Sequence, residues 1–181
     1  MIIIKIEPEI ELKQLEQSDS KDIFTTIDSQ REYLGKWLPF VKFTKEISDT
    51  EKFVSSVVNA SDDCKEFVFA IRKKGRFIGL VGFKDTDKLN QKIEIGYWLS
   101  EKYQKQGIIT KSVEKLCDFA FNNLGMNRIQ IKCAVNNMPS KRIPQKLGFK
   151  FEGIERDGEL LTGNVFTDIE VYSKLKCDLT H

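Results

Sequence analysis

A polar loop over residues 103–110 is the first segment with a recognisable chemistry. It holds one glycine, Gly107, and leads directly into the clearest amphipathic helical pattern in the chain. The N–H groups at a helix start lack an intrahelical acceptor and carry about half a positive charge, so a loop that exposes them can bind a diphosphate. Gly107 lacks the Cβ that would obstruct an approaching anion. An ordinary turn before a helix has the same pattern, so the loop alone leaves both interpretations open.

The scarcity of histidine excludes several kinds of site. The one histidine is His181, the final residue, where we expect the side chain to be poorly held. Ser-His-Asp triads, Cys-His pairs and His-rich metal centres all require an imidazole fixed in place. We therefore expect no metal site, and any acid or base must be a carboxylate, hydroxyl, thiol, amine or water.

The four cysteines, Cys64, Cys117, Cys133 and Cys177, are widely spaced and include no Cys-x-x-Cys pair. This spacing predicts neither a zinc site nor a disulfide framework, so we expect reduced thiols. Cys133 falls at an inward position of a predicted strand and has no histidine to activate it. A core thiol is therefore favoured over a nucleophile that would carry an acetyl group.

The composition is that of one ordinary globular domain. With 181 residues, 40% of them hydrophobic, the chain can bury a sizeable core, and we expect a single domain over residues 1–181. The formal net charge of +2 provides no field that would attract nucleic acid or a membrane surface. The apolar run at residues 2–6 is too short for a signal peptide or a membrane span, so we expect a cytoplasmic protein.

Helical patterns dominate the first third of the chain, after a loosely alternating stretch at residues 9–15. They predict helices at residues 20–27, at residues 30–37 and behind a capping-box pattern at residues 48–51. The apolar face of this third helix is predicted to consist of Phe53, Val54, Val57 and Val58.

Strand patterns dominate the rest, interrupted by two helices. The strands are predicted at residues 66–72, 76–84, 92–99, 128–135, 149–156 and 165–175. A turn at residues 73–75 makes the first three an antiparallel meander. The helix over residues 109–124 lies between two strands and makes a right-handed βαβ unit, which places its start beside strand ends. A short helix is predicted over residues 140–147.

Five motifs, in this order, make the chain resemble the GNAT-fold N-acetyltransferases, and among them the branch that acetylates serine or alanine N-termini of ribosomal proteins. The resemblance extends over nearly the whole length. Its motifs are residues 31–39, Ile-Gly-Tyr-Trp-Leu at 95–99, Gln-Lys-Gln-Gly-Ile-Ile at 104–109, Asn-Met-Pro-Ser at 137–140 and Leu-Gly-Phe at 147–149. One departure is Ile109, where the family loop ends in a small residue; the branch tolerates a bulky one.

The resemblance implies an α/β (α+β) GNAT fold: a mixed, mostly antiparallel sheet with flanking helices and a central pair of parallel strands that splay apart. It implies acetyl-CoA as the acetyl donor, with its diphosphate on the loop amides and its pantetheine arm between residues 92–99 and 128–135. The residues placed on the cofactor are Leu99, Gln104, Lys105, Gln106, Gly107, Ile108, Ile109, Thr110, Asn137 and Ser140.

The reaction so implied is attack of a neutral amine on a thioester. An α-amine titrates near ~8 and a lysine near ~10.4, so a terminal amine needs only a modest base. Glu159 and Glu94 are the candidate bases, and each could equally be an ordinary exposed carboxylate. The backbone N–H of Tyr97 is the candidate oxyanion donor. Ser140 is the candidate acid for the departing thiolate, and it could also cap the helix that follows it.

The acceptor stays open at this point. The resemblance favours the N-terminal α-amine of a ribosomal protein. A small-molecule amine, such as a polyamine, amino sugar or antibiotic, and a non-catalytic acetyl-CoA-binding module are the alternatives. We expect the acceptor pocket to be formed by residues 30–44 and 155–164. Relatives in this branch often dimerise, so a homodimer is a further expectation.

Overall fold

A computed structural model describes residues 1–61 and 66–180; Cys64 and His181 lie outside these ranges. One sheet has the strand order β1-β2-β3-β4-β5-β6-β8-β7. Its strands are β1 Ile3–Glu7, β2 Ile10–Gln14, β3 Val68–Lys73, β4 Arg76–Asp87, β5 Lys92–Leu99, β6 Arg128–Ala134, β7 Lys150–Leu161 and β8 Val165–Leu175. The helices are α1 Ser20–Asp28, α2 Arg31–Gly35, α3 Ile47–Val58, α4 Ile108–Asn122 and α5 Met138–Lys146. Short 3-10 turns cover Gln17–Asp19, Pro39–Lys42, Glu101–Tyr103 and Lys176–Thr180.

This is the predicted α/β (α+β) GNAT arrangement. All neighbouring strands of the sheet are antiparallel except β5 and β6, which are parallel. The turn between β3 and β4 is confirmed: Lys74 and Gly75 both have positive φ, 51° and 77°, as a tight two-residue hairpin requires. Helix α4 ends at Asn122, two residues before the predicted end, and Gly125 follows it with φ 68°.

Several element boundaries differ from the sequence predictions, and three of the differences have a local reason. Strand β1 was missed because its short apolar run becomes a strand only through pairing with β2. Helix α3 begins at Ile47 rather than after Ser48, because Asp49 accepts hydrogen bonds from the N–H groups of Lys45 and Glu46 at 2.9 and 3.0 Å. Strand β7 continues to Leu161 because a bulge lets it stay paired with β8.

The apolar face of α3 also differs from the prediction. Phe53 and Val58 are 42% and 40% exposed. Val54 is buried and Val57 packs against the same cluster. The helix therefore presents a narrower apolar stripe than the four predicted residues describe.

The sheet separates two apolar clusters. On the side that we call the α4 face, α4 packs on the central strands through Val113, Leu116, Ala120 and Phe121. On the opposite side, the α1 face, helices α1 to α3 cover only β3, β4 and the neighbouring part of β5. The rest of the α1 face is therefore not covered by these helices.

The parallel strands pair at only three positions. Lys92, Ile93 and Glu94 of β5 lie opposite Arg128, Ile129 and Gln130 of β6. Beyond them β5 stays paired with β4 as far as Leu99, and β6 stays paired with β8 as far as Ala134. The two strands diverge as the resemblance implied, and we call the space between residues 95–99 and 131–134 the opening.

Candidate active site

The loop before α4 exposes backbone N–H groups. Gly107 is the residue that precedes the helix, with φ +73°, and a Cβ added to it would meet no atom within 4 Å. The glycine is therefore required by the backbone conformation, and the space in front of it is open. Lys105 also has positive φ, 60°. Two such residues beside the free amides of the first helical turn form a concave set of donors that suits a phosphate.

Two glutamine side chains of the loop form hydrogen bonds with neighbouring segments of the protein. Gln104 Nε2 donates to the hydroxyl of Tyr33, and Gln106 Oε1 accepts from Lys73 Nζ at 2.9 Å. Ile108 and Ile109 are buried in the α4 core cluster. The bulky side chain of Ile109 thus lies inside the core and leaves the amides accessible, which accounts for the departure noted in the sequence.

Two lysine side chains near the loop have partners of their own. Lys111 forms an ion pair with Glu7, and Lys105 is exposed. Lys73 was not identified from the sequence, yet its ammonium lies beside the loop through its bond to Gln106. The positive potential at this end of α4 therefore includes a residue from the β3–β4 hairpin.

Backbone groups of β5 point into the opening. Ser100 N–H donates to Ile78 O on β4 at 2.8 Å, and the pairing of β5 with β4 is unbroken from Glu94 to Leu99. Because N–H groups alternate sides along a strand, those of Tyr97 and Leu99 face the β6 side. Tyr33 OH donates to Leu99 O at 3.2 Å from that same side. The Tyr97 amide thus has the orientation that an oxyanion donor needs.

A pair of hydroxyl groups lies on the α4 face of the opening. Tyr97 OH is 3.2 Å from both the carbonyl oxygen and the Oγ of Ser140. Burial raises the pKa of Tyr97 well above its usual value, so this phenol stays protonated. Asn137 Oδ1 accepts from Ser140 N at 3.4 Å and caps α5. The expectation that Ser140 caps the helix is therefore wrong; α5 starts earlier, at Met138, because Asn137 is the cap.

A carboxylate lies on the α1 face, where the opening begins. Glu94 is 5% exposed, so describing it as an ordinary exposed carboxylate is wrong. Lys84 Nζ lies 2.8 Å from Glu94 Oε1, and Gln130 Nε2 donates to Oε2 at 3.1 Å. Both carboxylate oxygens are engaged, which leaves Glu94 poorly placed to accept a proton from a substrate.

The second carboxylate, Glu159, comes from a hairpin that crosses the opening. Hairpin β7–β8 extends beyond the last pairing of β8 with β6, which is at Ala134. At its tip, Thr162 Oγ1 donates to Gly35 O of α2 at 2.9 Å. Ser173 of β8 lies directly opposite Gln130 of β6 and so faces the α1 side, and Thr167 shares that face of β8. Glu159 lies directly opposite Thr167. Glu159 thus faces the same side as Glu94.

The surroundings of Glu159 raise the pKa of its carboxyl group. Partial desolvation raises the pKa of Glu159. The ammonium of Lys84 lowers this pKa, and the negative charge of Glu94 raises it further. A raised pKa makes a carboxylate a stronger base once it is deprotonated.

Cys133 does not have the character of a nucleophile. Its side chain is buried, and burial raises the pKa of the thiol to about 11. The thiolate, which is the reactive form, is therefore scarce at neutral pH. This agrees with the prediction that Cys133 is a core thiol.

Besides Lys73, the sequence analysis missed three side chains of this site: Tyr33, Lys84 and the phenol of Tyr97. Tyr33 lies within the motif at residues 31–39, but its bond to Leu99 spans 66 positions. Lys84 lies opposite Glu94 in the β4–β5 pairing, whose register is interrupted by an irregularity between Lys84 and Asp87 that the sequence does not reveal. The Tyr97 phenol meets Ser140 only once β5 and α5 are brought together.

No helix within residues 1–61 and 66–180 is long and apolar enough to span a membrane. No group of three or more His, Cys, Asp or Glu side chains within these ranges could hold a metal ion.

Comparison with known proteins identifies the domain type. Residues 9–150 match the family model of the acetyltransferase (GNAT) domain. The chain is 32% identical over 178 residues to YdaF of Bacillus subtilis (strain 168), provisionally named a ribosomal N-acetyltransferase, covering 97% of this chain and 96% of that protein. It is 29% identical over 172 residues to the ribosomal-protein-serine acetyltransferase of Escherichia coli (strain K12), and the match covers 95% of this chain and 96% of that protein.

A solved structure gives the same result for the fold. The microcin C7 self-immunity acetyltransferase MccE, in complex with acetyl-CoA and AMP, superposes with a TM-score of 0.88 at 28% identity. The superposition covers 95% of each chain.

Proposed function

This chain belongs to the GNAT acetyltransferase family and is an acyltransferase, and from that premise we propose that it moves the acetyl group of acetyl-CoA directly to the N-terminal α-amine of a protein. The observation that carries the proposal is the opening between β5 and β6. It has a hydroxyl pair, Tyr97 and Ser140, on one face of the sheet and a carboxylate, Glu159, on the other. A thioester held in this opening could meet an amine from one side and release its sulfur on the other.

Acetyl-CoA is the proposed donor substrate. The amides of Gly107, Ile108, Ile109 and Thr110 would hold its diphosphate, since Gly107 has open space in front of it and the first-turn amides lack intrahelical acceptors. The complex of MccE with acetyl-CoA supports this assignment. Backbone groups of Leu99 and Tyr97, which face the opening, would pair with the pantetheine arm and the thioester oxygen.

The transfer is balanced by two proton movements. The amine nitrogen attacks the thioester carbon, a C–N bond forms and the C–S bond breaks. Glu159 receives the proton that the nitrogen loses, directly or through water, and returns it to solvent. Ser140 donates a proton to the departing sulfur and regains one from solvent. The N–H of Tyr97 stabilises the negative charge on oxygen in the tetrahedral intermediate.

An α-amine suits this site better than a lysine side chain does. An α-amine has a pKa near ~8, so a substantial fraction is already neutral at pH 7 to 8, whereas lysine at ~10.4 needs a stronger base. Glu159 is a carboxylate with a moderately raised pKa and is a base of modest strength. The E. coli relative that is named a ribosomal-protein-serine acetyltransferase supports a ribosomal protein as the acceptor. Such an acceptor would place the enzyme in the cytoplasm.

The acceptor would lie on the α1 face, between two segments that are joined there. The contact of Thr162 with Gly35 brings the β7–β8 hairpin to the segment at residues 30–44. Both segments carry exposed apolar side chains: Phe40 and Phe43 on the first, and on the hairpin Val165, which lies two positions from Thr167 and shares its face. These side chains could contact the residues that follow the acetylated N-terminus of a peptide.

The test is release of CoA thiol from acetyl-CoA with a panel of acceptors. We expect release with short peptides that have free Ser, Ala or Met N-termini. We expect none with the same peptides blocked at the N-terminus, and none with free lysine, spermidine or an aminoglycoside. Release with a small amine alone would assign the enzyme to small-molecule acetylation. If acetyl-CoA binds but no acceptor in the panel causes thiol release, the proposed acceptor class is contradicted.

Replacing Ser140 with alanine should lower kcat about tenfold, with KM for acetyl-CoA within about twofold. The effect is modest because a thiolate, with a pKa near ~8.5, leaves readily without much help from an acid. Tyr97→Phe should lower kcat by a smaller factor, because Tyr97 acts through Ser140. Steady-state kinetics on both variants and on the double variant measure this.

The double variant distinguishes a shared role from two separate ones. If Tyr97 acts only by orienting the Ser140 hydroxyl, adding Tyr97→Phe to Ser140→Ala should cause no further loss. Losses that multiply in the double variant would show that the two hydroxyls act independently. An unchanged kcat for Ser140→Ala would remove Ser140 from the reaction.

A further inference from the structure

Lys84 is placed between the two carboxylates of the α1 face. Its ammonium lies 2.8 Å from Glu94 Oε1, and it interacts electrostatically with Glu159. It reaches Glu94 from the neighbouring strand, because Lys84 and Glu94 are directly opposite in the β4–β5 pairing. Glu159 reaches the same space from the far side of the opening, on the hairpin that is attached to α2. No function is yet assigned to this lysine.

We propose that Lys84 is a positioning residue whose ammonium, held beside Glu94, keeps Glu159 ionised, so that Glu159 is available as a base near neutral pH. This inference rests on the proposed role of Glu159. Two carboxylates that face one another without a cation repel, and one of them then tends to keep a proton. A protonated Glu159 could not accept the proton of the acceptor amine.

The charges around Lys84 are consistent with this role. From its own strand the neighbouring charge is Asp85, from β5 it is Glu94, and from β7 it is Glu159. These three carboxylates together raise the pKa of Lys84, against the opposing effect of burial. The lysine therefore remains an ammonium wherever Glu159 titrates.

Lys84 also differs from another lysine–glutamate pair on this face. Lys132 of β6 lies 2.8 Å from Glu155 of β7, and the two form a simple pair. Glu94 has, in addition to Lys84, the amide of Gln130, so its position is fixed before a substrate arrives. Lys84 is thus the cation that connects a fixed carboxylate to the carboxylate that is proposed to react.

The direction of the effect follows from these charges. Removing the ammonium takes away the influence that lowers the pKa of Glu159 and leaves the influence of Glu94, which raises it. Without the ammonium, the titration midpoint of the Glu159 carboxyl group should therefore rise by about one pH unit. This is the low end of the shifts that a nearby opposite charge causes, because the Lys84 side chain is half exposed. Activity requires ionised Glu159, so as the pH is lowered the activity should begin to fall at a higher pH than in the unmodified enzyme.

The test is NMR titration of the side-chain carboxyl carbon of Glu159, identified by its loss in Glu159→Gln. We expect the midpoint to rise by about one pH unit in Lys84→Met and in Lys84→Gln. It should stay within about a third of a unit in Lys84→Arg, which keeps the charge, and in the matched control Lys132→Met. A midpoint that does not move, or that falls, in both neutral Lys84 variants would overturn the proposal.

A pH profile of kcat/KM with a peptide acceptor separates this inference from the proposed function. The acid limb should move by the same amount in Lys84→Met. If Glu159→Gln is fully active, the proposed base is wrong even though the titration can still move. If Glu159→Gln is inactive and the acid limb of Lys84→Met stays in place, the role of Lys84 is wrong and the base assignment stands.

Discussion

Glu159→Gln should lower kcat with a peptide acceptor by about 100-fold or more, while the Kd for acetyl-CoA stays within about twofold. A positioned general base contributes on the order of 100-fold to 10,000-fold, and glutamine keeps the size of the side chain without its basicity. Glu159 lies on the α1 face of the hairpin, away from the loop before α4, so donor binding should not change. Steady-state kinetics and calorimetric titration with acetyl-CoA measure the two quantities.

Glu155→Gln is the matched control for this prediction. Glu155 is on the same strand and the same face, and it forms an ion pair with Lys132 at 2.8 Å. Its loss should cost less than about 1 kcal/mol of stability, since both partners are partly exposed. Equal losses of turnover in the two variants would mean that the hairpin is sensitive to any change of charge and would argue against Glu159 as the base.

Gly107→Trp should weaken acetyl-CoA binding by about 100-fold. A side chain at this position would occupy the open space in front of the first-turn amides and block hydrogen bonds to a charged group, each worth about 1.5–3 kcal/mol. It would also place a residue with a Cβ at φ +73°, which costs about 1–2 kcal/mol of stability. Calorimetric titration with acetyl-CoA and a thermal melt separate these two effects.

Gly125→Trp provides the control at the opposite end of the same helix. Gly125 has φ 68° and, like Gly107, no neighbouring atom within 4 Å of an added Cβ. It should lose a similar amount of stability and keep its affinity for acetyl-CoA. Unchanged affinity in Gly107→Trp, or equal loss of affinity in both variants, would contradict the assignment of the loop as the diphosphate site.

Features that depend on neighbours in the sequence were predictable. The turn conformation of Gly107, the stripe of apolar residues on α4 and the alternation in β5 all follow from local backbone geometry and periodicity. The same is true of the hairpin turn at Lys74 and Gly75. The resemblance added the divergence of β5 and β6, which no local pattern encodes.

Features that depend on long-range contacts were not predictable in detail. The burial of Glu94 results from Lys84 and Gln130, which reach it from two different neighbouring strands. The position of Glu159 above them depends on a bulge between Glu155 and Glu159 and on the contact of Thr162 with α2, 127 positions away in the chain. A single sequence gives the residue types of this cluster but not their distances, and distance decides which carboxylate is free to act.

The role of the capping residue shows the same limit on a smaller scale. Asn137 and Ser140 are both good capping residues, and the sequence permits a helix that starts after either one. The structure uses Asn137, which leaves the Ser140 hydroxyl free to meet Tyr97. One competing local hydrogen bond therefore determines whether Ser140 is available for chemistry.

The most direct test of the central claim is to locate the acetyl group by tandem mass spectrometry. The substrate is a peptide with a free N-terminal serine and one internal lysine, incubated with the enzyme and acetyl-CoA. The account predicts acetylation of the N-terminal residue, an unmodified lysine, and loss of the product with Glu159→Gln. Acetyl on the lysine alone, or acetyl on the α-amine that is undiminished in Glu159→Gln, would contradict it.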